Sequence, residues 1–250
     1  MAHFLDNTFT IISGPCIFEG SKQIQEHLDC LETSKYLRAG IFKLRTNKDS
    51  FQGLRLEGIN QMSTLKSNHD FYLVSEVVSM KSLELLKDCV DIIQVGTRNM
   101  YNYELLKELS KQSKPVILKR GLSATIHEWV QAAQYINSDE KQVILCERGI
   151  RSFENKYRNT LDLNAVSYLK RKTNYKVLVD PSHGTGNTFM IEDLSVAALA
   201  IGADGILVEA HFNPAQALSD AHQALTLPQL RQLIKKIHTL ADSFNKKVIF

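Results

Sequence analysis

The chain has 250 residues, 44% of them hydrophobic and 23% charged, with a formal net charge of +3. That is enough for one large core, an ordinary soluble composition, and too little charge to mark a nucleic-acid binder. Residues 1–9 carry no basic cluster or long apolar run, no uncharged stretch approaches the roughly 20 residues of a membrane span, and Cys16, Cys30, Cys89 and Cys146 form no CxxC pair, so a cytoplasmic, disulfide-free protein with no membrane or nucleic-acid partner is expected.

In chain order, short apolar runs rich in β-branched residues predict strands at 10–13, 40–44, 71–75, 91–95, 116–119, 143–146, 176–179 and 205–208. Segments with helical spacing lie between and after them, at 23–36, 51–66, 80–87, 103–111, 124–135, 161–171, 191–200 and 227–240. Strands that alternate with helices imply parallel βα units, and eight such units imply an α/β protein closed into a (β/α)8 barrel. The continuous apolar run GILVE at Gly205 agrees, because barrel strands are buried on both faces. Residues 1–250 read as a single barrel domain ending in a short tail, NKKVIF, and no separate regulatory domain is expected.

The end of each strand carries the chemistry. In order, the strands lead into Gly14-Pro15-Cys16, Lys43-Leu44-Arg45-Thr46, Glu76, Gly96-Thr97-Arg98-Asn99, Lys119-Arg120-Gly121, Glu147-Arg148-Gly149, Asp180-Pro181-Ser182-His183-Gly184 and Glu209-Ala210-His211. In this architecture the carboxyl ends of the strands build the active site. The basic members, Lys43, Arg45, Arg98, Lys119, Arg120 and Arg148, are expected to converge on one mouth and to bind a small anionic ligand through phosphate and carboxylate groups. The same charges also fit an ion-pair network with Glu76, Glu147 and Asp180. Gly184-Thr185-Gly186 has the look of a phosphate-cradling turn, although such a triplet is also a common turn.

Cys16, His183, Glu209 and Asp220 follow strands one, seven and eight, which are neighbours once the barrel closes. One thiolate, one imidazole and two carboxylates suit a borderline divalent ion, Mn²⁺, Fe²⁺, Co²⁺ or Zn²⁺. By spacing alone, a small buried hydrophobic cysteine and an ordinary loop histidine fit equally well. His211 reads as a supporting residue at most.

Seven motifs in order, GPC at Gly14, KLRTNKDSFQGL at Lys43, QVGTRNMYNYELL at Gln94, KPVILKRG at Lys114, CERGIRSFENKYRNTLDL at Cys146, VDPSHGTGN at Val179 and VEAHFNPAQALSD at Val208, resemble the 3-deoxy-D-arabino-heptulosonate 7-phosphate (DAHP) synthases. The resemblance is to their short branch related to the 3-deoxy-octulosonate 8-phosphate (KDO8P) synthases. It implies condensation of phosphoenolpyruvate with erythrose 4-phosphate, the first step of the shikimate pathway toward aromatic amino acids. It implies Cys16, His183, Glu209 and Asp220 as metal ligands, and Arg98, Lys119 and Arg148, with Lys43 beside them, as the residues that hold phosphoenolpyruvate. Arg45 and Thr46 match the pair that grips the aldehyde phosphate, with Glu76, His183 and Asp220 completing the substrate contacts. Lys43, Cys16 and His183 are the expected catalytic groups, and a homo-oligomer, dimer or tetramer, is expected. Departures fall at Leu44, Asn47-Lys48-Asp49, Thr97, Gln216 and Ala221. The alternatives are a KDO8P-type synthase acting on another aldehyde, or a non-catalytic anion-binding barrel.

Overall fold

The computed structural model describes residues 7–31, 34–45, 47–137 and 142–250. Eight parallel strands close a barrel: β1 (Thr8–Gly14), β2 (Tyr36–Arg38), β3 (Tyr72–Glu76), β4 (Ile92–Val95), β5 (Val116–Lys119), β6 (Val143–Glu147), β7 (Lys176–Val179) and β8 (Gly205–Glu209). Each pairs with the next, and β8 returns to β1 over five register pairs, from Thr10↔Gly205 to Gly14↔Glu209. The wrapping helices are α1 (Ser21–Cys30), α2 (Arg55–Asn68), α3 (Met80–Leu86), α4 (Tyr103–Leu109), α5 (Ile126–Gln134), α6 (Leu163–Lys172), α7 (Pro181–Thr185), α8 (Ile191–Ala200) and α9 (Leu227–Ala241). Reciprocal side-chain caps start three of them, from Ser79 with Ser82, Thr125 with Glu128 and Thr226 with Gln229.

Side chains alternate between the two faces of a strand, and here the alternation sorts the sequence into two layers. One inward residue from each strand fills the barrel axis: Ile12, Tyr36, Val74, Ile92, Ile117, Ile144, Leu178 and Leu207. Two residues further along, the same inward face presents Gly14, Arg38, Glu76, Gln94, Lys119, Cys146, Asp180 and Glu209. The apolar layer is therefore the floor, and the polar layer the base of the cavity above it. Outward residues pack against the helices in the larger cluster.

Three local expectations are corrected. The second strand spans 36–38, not 40–44, and the helix before it ends at Cys30. YLRAGIF is one apolar run, and its periodicity does not say which half pairs. Tyr36 is the half that reaches the barrel interior, where its ring stacks on Tyr72 at 5.4 Å. Residues 40–45 instead cross the barrel mouth, with the Gly40 carbonyl accepting from Phe18 N. Because β2 is so short, it meets β1 at one register pair, Ser13↔Leu37. The open lower edge of β1 is taken by β9 (Lys247–Ile249), part of the stretch expected to be a tail, through Thr8↔Lys247 to Thr10↔Ile249. After β7 and its cap residue Asp180, the segment that starts at Pro181 forms α7, a single helical turn.

Candidate active site

Loops at the carboxyl ends of the strands enclose a cavity of about 460 Å³. Among the described residues its lining holds Cys16, Lys43, Arg45, Glu76, Arg98, Lys119, Arg148, His183 and Asp220, so nearly every site residue expected from sequence meets there. Thr46 lies outside the described residues. Eight lining side chains are cationic (Arg38, Lys43, Arg45, Arg98, Lys119, Arg148, Arg151, Arg158) and two, Glu76 and Asp220, are carboxylates. That imbalance selects a multiply charged anion of small-molecule size.

Arg120 is not part of it. Lys119 and Arg120 are consecutive, so one faces in and the other out. Arg120 pairs instead with Glu147 and Asp162, each at 2.9 Å, and lies over the Trp129 ring. One pair of the expected ion-pair network, Arg120 with Glu147, is thus a support outside the barrel. His211 is also outside the cluster. Its Nε2 lies 3.4 Å from Glu19 and its Nδ1 accepts from Asn213 N.

Sequence reasoning missed Arg38, which the misplaced second strand hid. Its side chain is almost wholly buried in the cavity floor. Nη2 donates to the Gly14 carbonyl at 2.8 Å and lies 3.8 Å from Glu209 Oε2, while Nε and Nη1 have no hydrogen-bond partner among the described residues. A buried guanidinium with two unspent donors facing a cavity is an anion-holding group. The exposed Arg151 and Arg158 and the buried Asn159, which donates to the His183 carbonyl, were likewise not singled out.

Four donors converge: Cys16 Sγ, a ring nitrogen of His183 and carboxylate oxygens of Glu209 and Asp220 all lie within 4.8 Å of one another. That spread fits donors placed about 2.0–2.3 Å from one shared ion, and the donor set fits a borderline divalent cation. Each donor is placed by its own local structure. Asp180 caps α7 by accepting from His183 N at 2.9 Å, and its Oδ2 lies 2.9 Å from His183 Nδ1, which turns Nε2 toward Glu209 at 3.5 Å. A carboxylate behind a ligating histidine fixes its tautomer and orientation. Asp220 sits in the left-handed region at φ 54, a conformation Asp tolerates better than most residues.

The electrostatics follow from burial and crowding. Burial, then the Glu209 charge, pushes the Cys16 thiol far up. Asp220 is held well below the usual carboxylate range, against its burial, by Lys43 and His183. Lys43 stays protonated against burial because Cys16 and Asp220 face it. Burial lowers His183 to about 4, against the pull of Asp180, leaving a neutral imidazole able to ligate. Burial raises Glu76, opposed by Lys43, Lys119 and Arg98. Its carboxylate rests on Gly96, where any Cβ would meet Oε1 at 2.1 Å. Burial also lowers Arg148 to about 10. Its guanidinium is anchored on the His183 carbonyl at 3.1 Å.

The sequence pattern of the DAHP synthetase I family matches residues 4–245. A phospho-2-dehydro-3-deoxyheptonate aldolase of Thermotoga maritima is 42% identical over 243 residues, covering 96% of this chain and 72% of that protein. The crystal structure of the Thermotoga maritima enzyme, also called DAHP synthase, superposes with a TM-score of 0.92 at 41% identity, over 97% of this chain and 72% of that one. A 2-dehydro-3-deoxyphosphooctonate aldolase of Burkholderia cenocepacia is 28% identical over 97% of this chain and 94% of its own.

Proposed function

We propose a reaction from one premise: the chain belongs to the DAHP synthetase I family. It is an enzyme that condenses phosphoenolpyruvate with erythrose 4-phosphate and water, giving DAHP and inorganic phosphate, the first step toward the aromatic amino acids. Its own cavity supports that reading. One observation carries it: a phosphate- and carboxylate-binding floor lies directly beside a four-donor divalent-ion cluster.

The residue roles are as follows. Arg98, Lys119 and Arg148 hold the phosphate of phosphoenolpyruvate, and the unspent donors of Arg38 take its carboxylate. This fixes C3 toward the aldehyde, which is a positioning task. Arg45, in the cavity lining, receives the aldehyde phosphate, a role the sequence resemblance also gives to Thr46. A divalent ion held by Cys16, His183, Glu209 and Asp220, of the Mn, Fe, Co or Zn type, would supply Lewis-acid polarisation of the aldehyde oxygen. As the C3–C1 bond forms, Lys43 gives its proton to the new hydroxyl. Water adds at C2 and the C2–O bond to phosphate breaks to leave the ketone, one proton of the water leaving with the phosphate and the other restoring Lys43. Glu76, held above the usual carboxylate range by burial, faces Lys43, Lys119 and Arg98 across the cavity and completes the substrate contacts.

Residues 1–250 are proposed to act as one catalytic domain in a homo-oligomer, dimer or tetramer. The fully exposed Phe153 and largely exposed Phe189 are apolar surface that assembly would cover. No described helix is long and apolar enough to cross a membrane, and the four cysteines are free thiols. We place the protein in the reducing cytoplasm.

The deciding experiment measures phosphate release from phosphoenolpyruvate with erythrose 4-phosphate, then with arabinose 5-phosphate, with and without a chelator. Turnover of the four-carbon aldehyde that stops with chelator is the expected result. Preference for arabinose 5-phosphate would make it a KDO8P-type synthase. No release with either would leave a non-catalytic barrel.

A further inference from the structure

Gln223 is fully buried beside the four-donor cluster, yet it contributes none of the donors. It reaches the cluster through one turn of 3₁₀ helix, Ala221–Gln223, that follows directly on Asp220, with Gln223 N donating to the Asp220 carbonyl at 3.1 Å. Residues three apart in such a turn lie on the same side. A single turn therefore delivers both the Asp220 carboxylate and the Gln223 amide.

The amide has two partners of opposite kind. Nε2 donates to Glu209 Oε2 at 2.6 Å, and Oε1 accepts from Arg158 Nη1 at 2.8 Å. Its orientation is fixed by chemistry, because a carboxylate can only accept and a guanidinium can only donate. The flipped amide would set acceptor against acceptor at one end and donor against donor at the other. Glu209 is held at its other oxygen as well, where Oε1 accepts from Cys16 N at 3.3 Å. The oxygen that Gln223 grips is the one 3.5 Å from His183 Nε2.

We propose that Gln223 is the positioning residue that fixes the Glu209 carboxylate for metal binding, with its own amide locked by Arg158. This rests on the reading that the cluster holds a divalent ion. Without the Nε2 donor, Glu209 keeps only the 3.3 Å bond from Cys16 N and the 3.8 Å approach of Arg38 Nη2, so its carboxylate is held more loosely where an ion would arrive. Arg158 also lies 3.6 Å from Asp220 Oδ1, so the same Gln223–Arg158 pair borders both carboxylates of the set.

The test titrates chelator-stripped protein with Co²⁺ and reads the thiolate-to-cobalt absorption that Cys16 would produce. Gln223→Met keeps the volume and removes both hydrogen bonds. It should weaken Co²⁺ binding by roughly 10- to 100-fold, the usual cost of losing an outer partner of a ligand. Gln223→Asn, too short to bridge both partners, should weaken it in the same direction and decides the matter if the Met variant fails to fold. Arg158→Lys, which keeps a donor for the amide, should bind Co²⁺ more tightly than Arg158→Met. Both Gln223 variants should lose some thermal stability, because each leaves the buried Glu209 carboxylate one donor short, but binding of phosphoenolpyruvate by the metal-free protein should stay at its parental value, which separates positioning from a general loss of structure. Co²⁺ affinity within about twofold of the parent in both variants, against that 10- to 100-fold expectation, would overturn the proposal while leaving the metal reading intact. No cobalt–thiolate band in the parent itself would overturn both.

Discussion

The Lys43 ammonium lies 2.5 Å from Cys16 Sγ and 3.0 Å from Asp220 Oδ2. The proposed proton donor therefore shares two of the four candidate metal ligands. The thiol in turn donates to Asp220 at 3.0 Å, and the whole group is part of one buried hydrogen-bonded set. The arrangement brings a proton donor next to the place where an aldehyde oxygen would be polarised. It also puts two positive charges in competition for the same anions.

That competition gives opposite signs for two substitutions. Cys16→Ser should lose most metal affinity, because a neutral hydroxyl is a far poorer ligand than a thiolate. Lys43→Met should raise metal affinity on the order of tenfold by removing a like charge at contact distance, while turnover falls steeply with the proton donor gone. Calorimetric titration of stripped protein with Mn²⁺ or Co²⁺, paired with phosphate-release rates, measures both. A Lys43→Met variant that binds metal more weakly would mean that the ammonium organises the cluster and does not compete with the ion.

Arg98 and Lys119 are expected to behave differently, although the sequence presents both as strand-end cations. Arg98 is exposed at the mouth, whereas Lys119 is buried and bonded to Asp180 at 2.6 Å. Arg98→Ala should raise the KM for phosphoenolpyruvate on the order of 10- to 100-fold and leave stability unchanged. Lys119→Ala should do the same to KM and also destabilise the fold by roughly 3–5 kcal/mol, because it strands a buried carboxylate. Urea unfolding of the two variants against the parent checks the split. Equal stability of both would mean that Asp180 is satisfied without Lys119.

The barrel was legible because strand alternation and helical spacing repeat eight times, and β5 and β7 fall where the apolar runs place them. The cavity was legible because its charges follow strand ends. Arg38 was not, since YLRAGIF carries no mark of where pairing stops, and shifting the strand to 40–44 left Arg38 outside any strand. Arg120 was misplaced for the opposite reason, because adjacency to Lys119 in sequence means opposite faces in a strand. Gln223 had a faint signature, a polar residue three after Asp220, but nothing in the sequence says that the turn between them is 3₁₀ or that Glu209 waits on the far side. β9 could not be foreseen because it depends on how much of β1 the shortened β2 leaves open.

Arg45 is proposed to take part in aldehyde binding. Its Nη1 donates to Ser219 Oγ and lies 3.6 Å from Asp220 Oδ2, so it stands over the ion cluster at the rim of the cavity. Arg45→Ala should raise the KM for erythrose 4-phosphate much more than that for phosphoenolpyruvate, since the floor that binds the latter is untouched. The two Michaelis constants, each measured with the other substrate saturating, decide it. A larger change for phosphoenolpyruvate would place Arg45 in the other half of the site.

The last prediction concerns stability and lies outside the cavity. His27 on α1 is 1% exposed, its Nε2 is 3.0 Å from Ser13 Oγ, and its Nδ1 has no hydrogen-bond partner among the described residues. Burial alone lowers it to about 4, from an ordinary value near 6.5. Between those values the unfolded chain takes up a proton at this site and the folded protein does not. Stability that is fully present above about pH 6.5 is therefore lost progressively as the pH falls toward 4. A displacement of that size corresponds to about 3 kcal/mol at the acid end. His27→Asn removes the titration while keeping a polar partner for Ser13, so the variant should start less stable at pH 7 but lose less on acidification. Urea unfolding free energies at pH 7.0, 6.0, 5.0 and 4.5 for both proteins give the comparison. Parallel pH slopes would show that His27 is protonated in the folded state and that the acid sensitivity arises elsewhere.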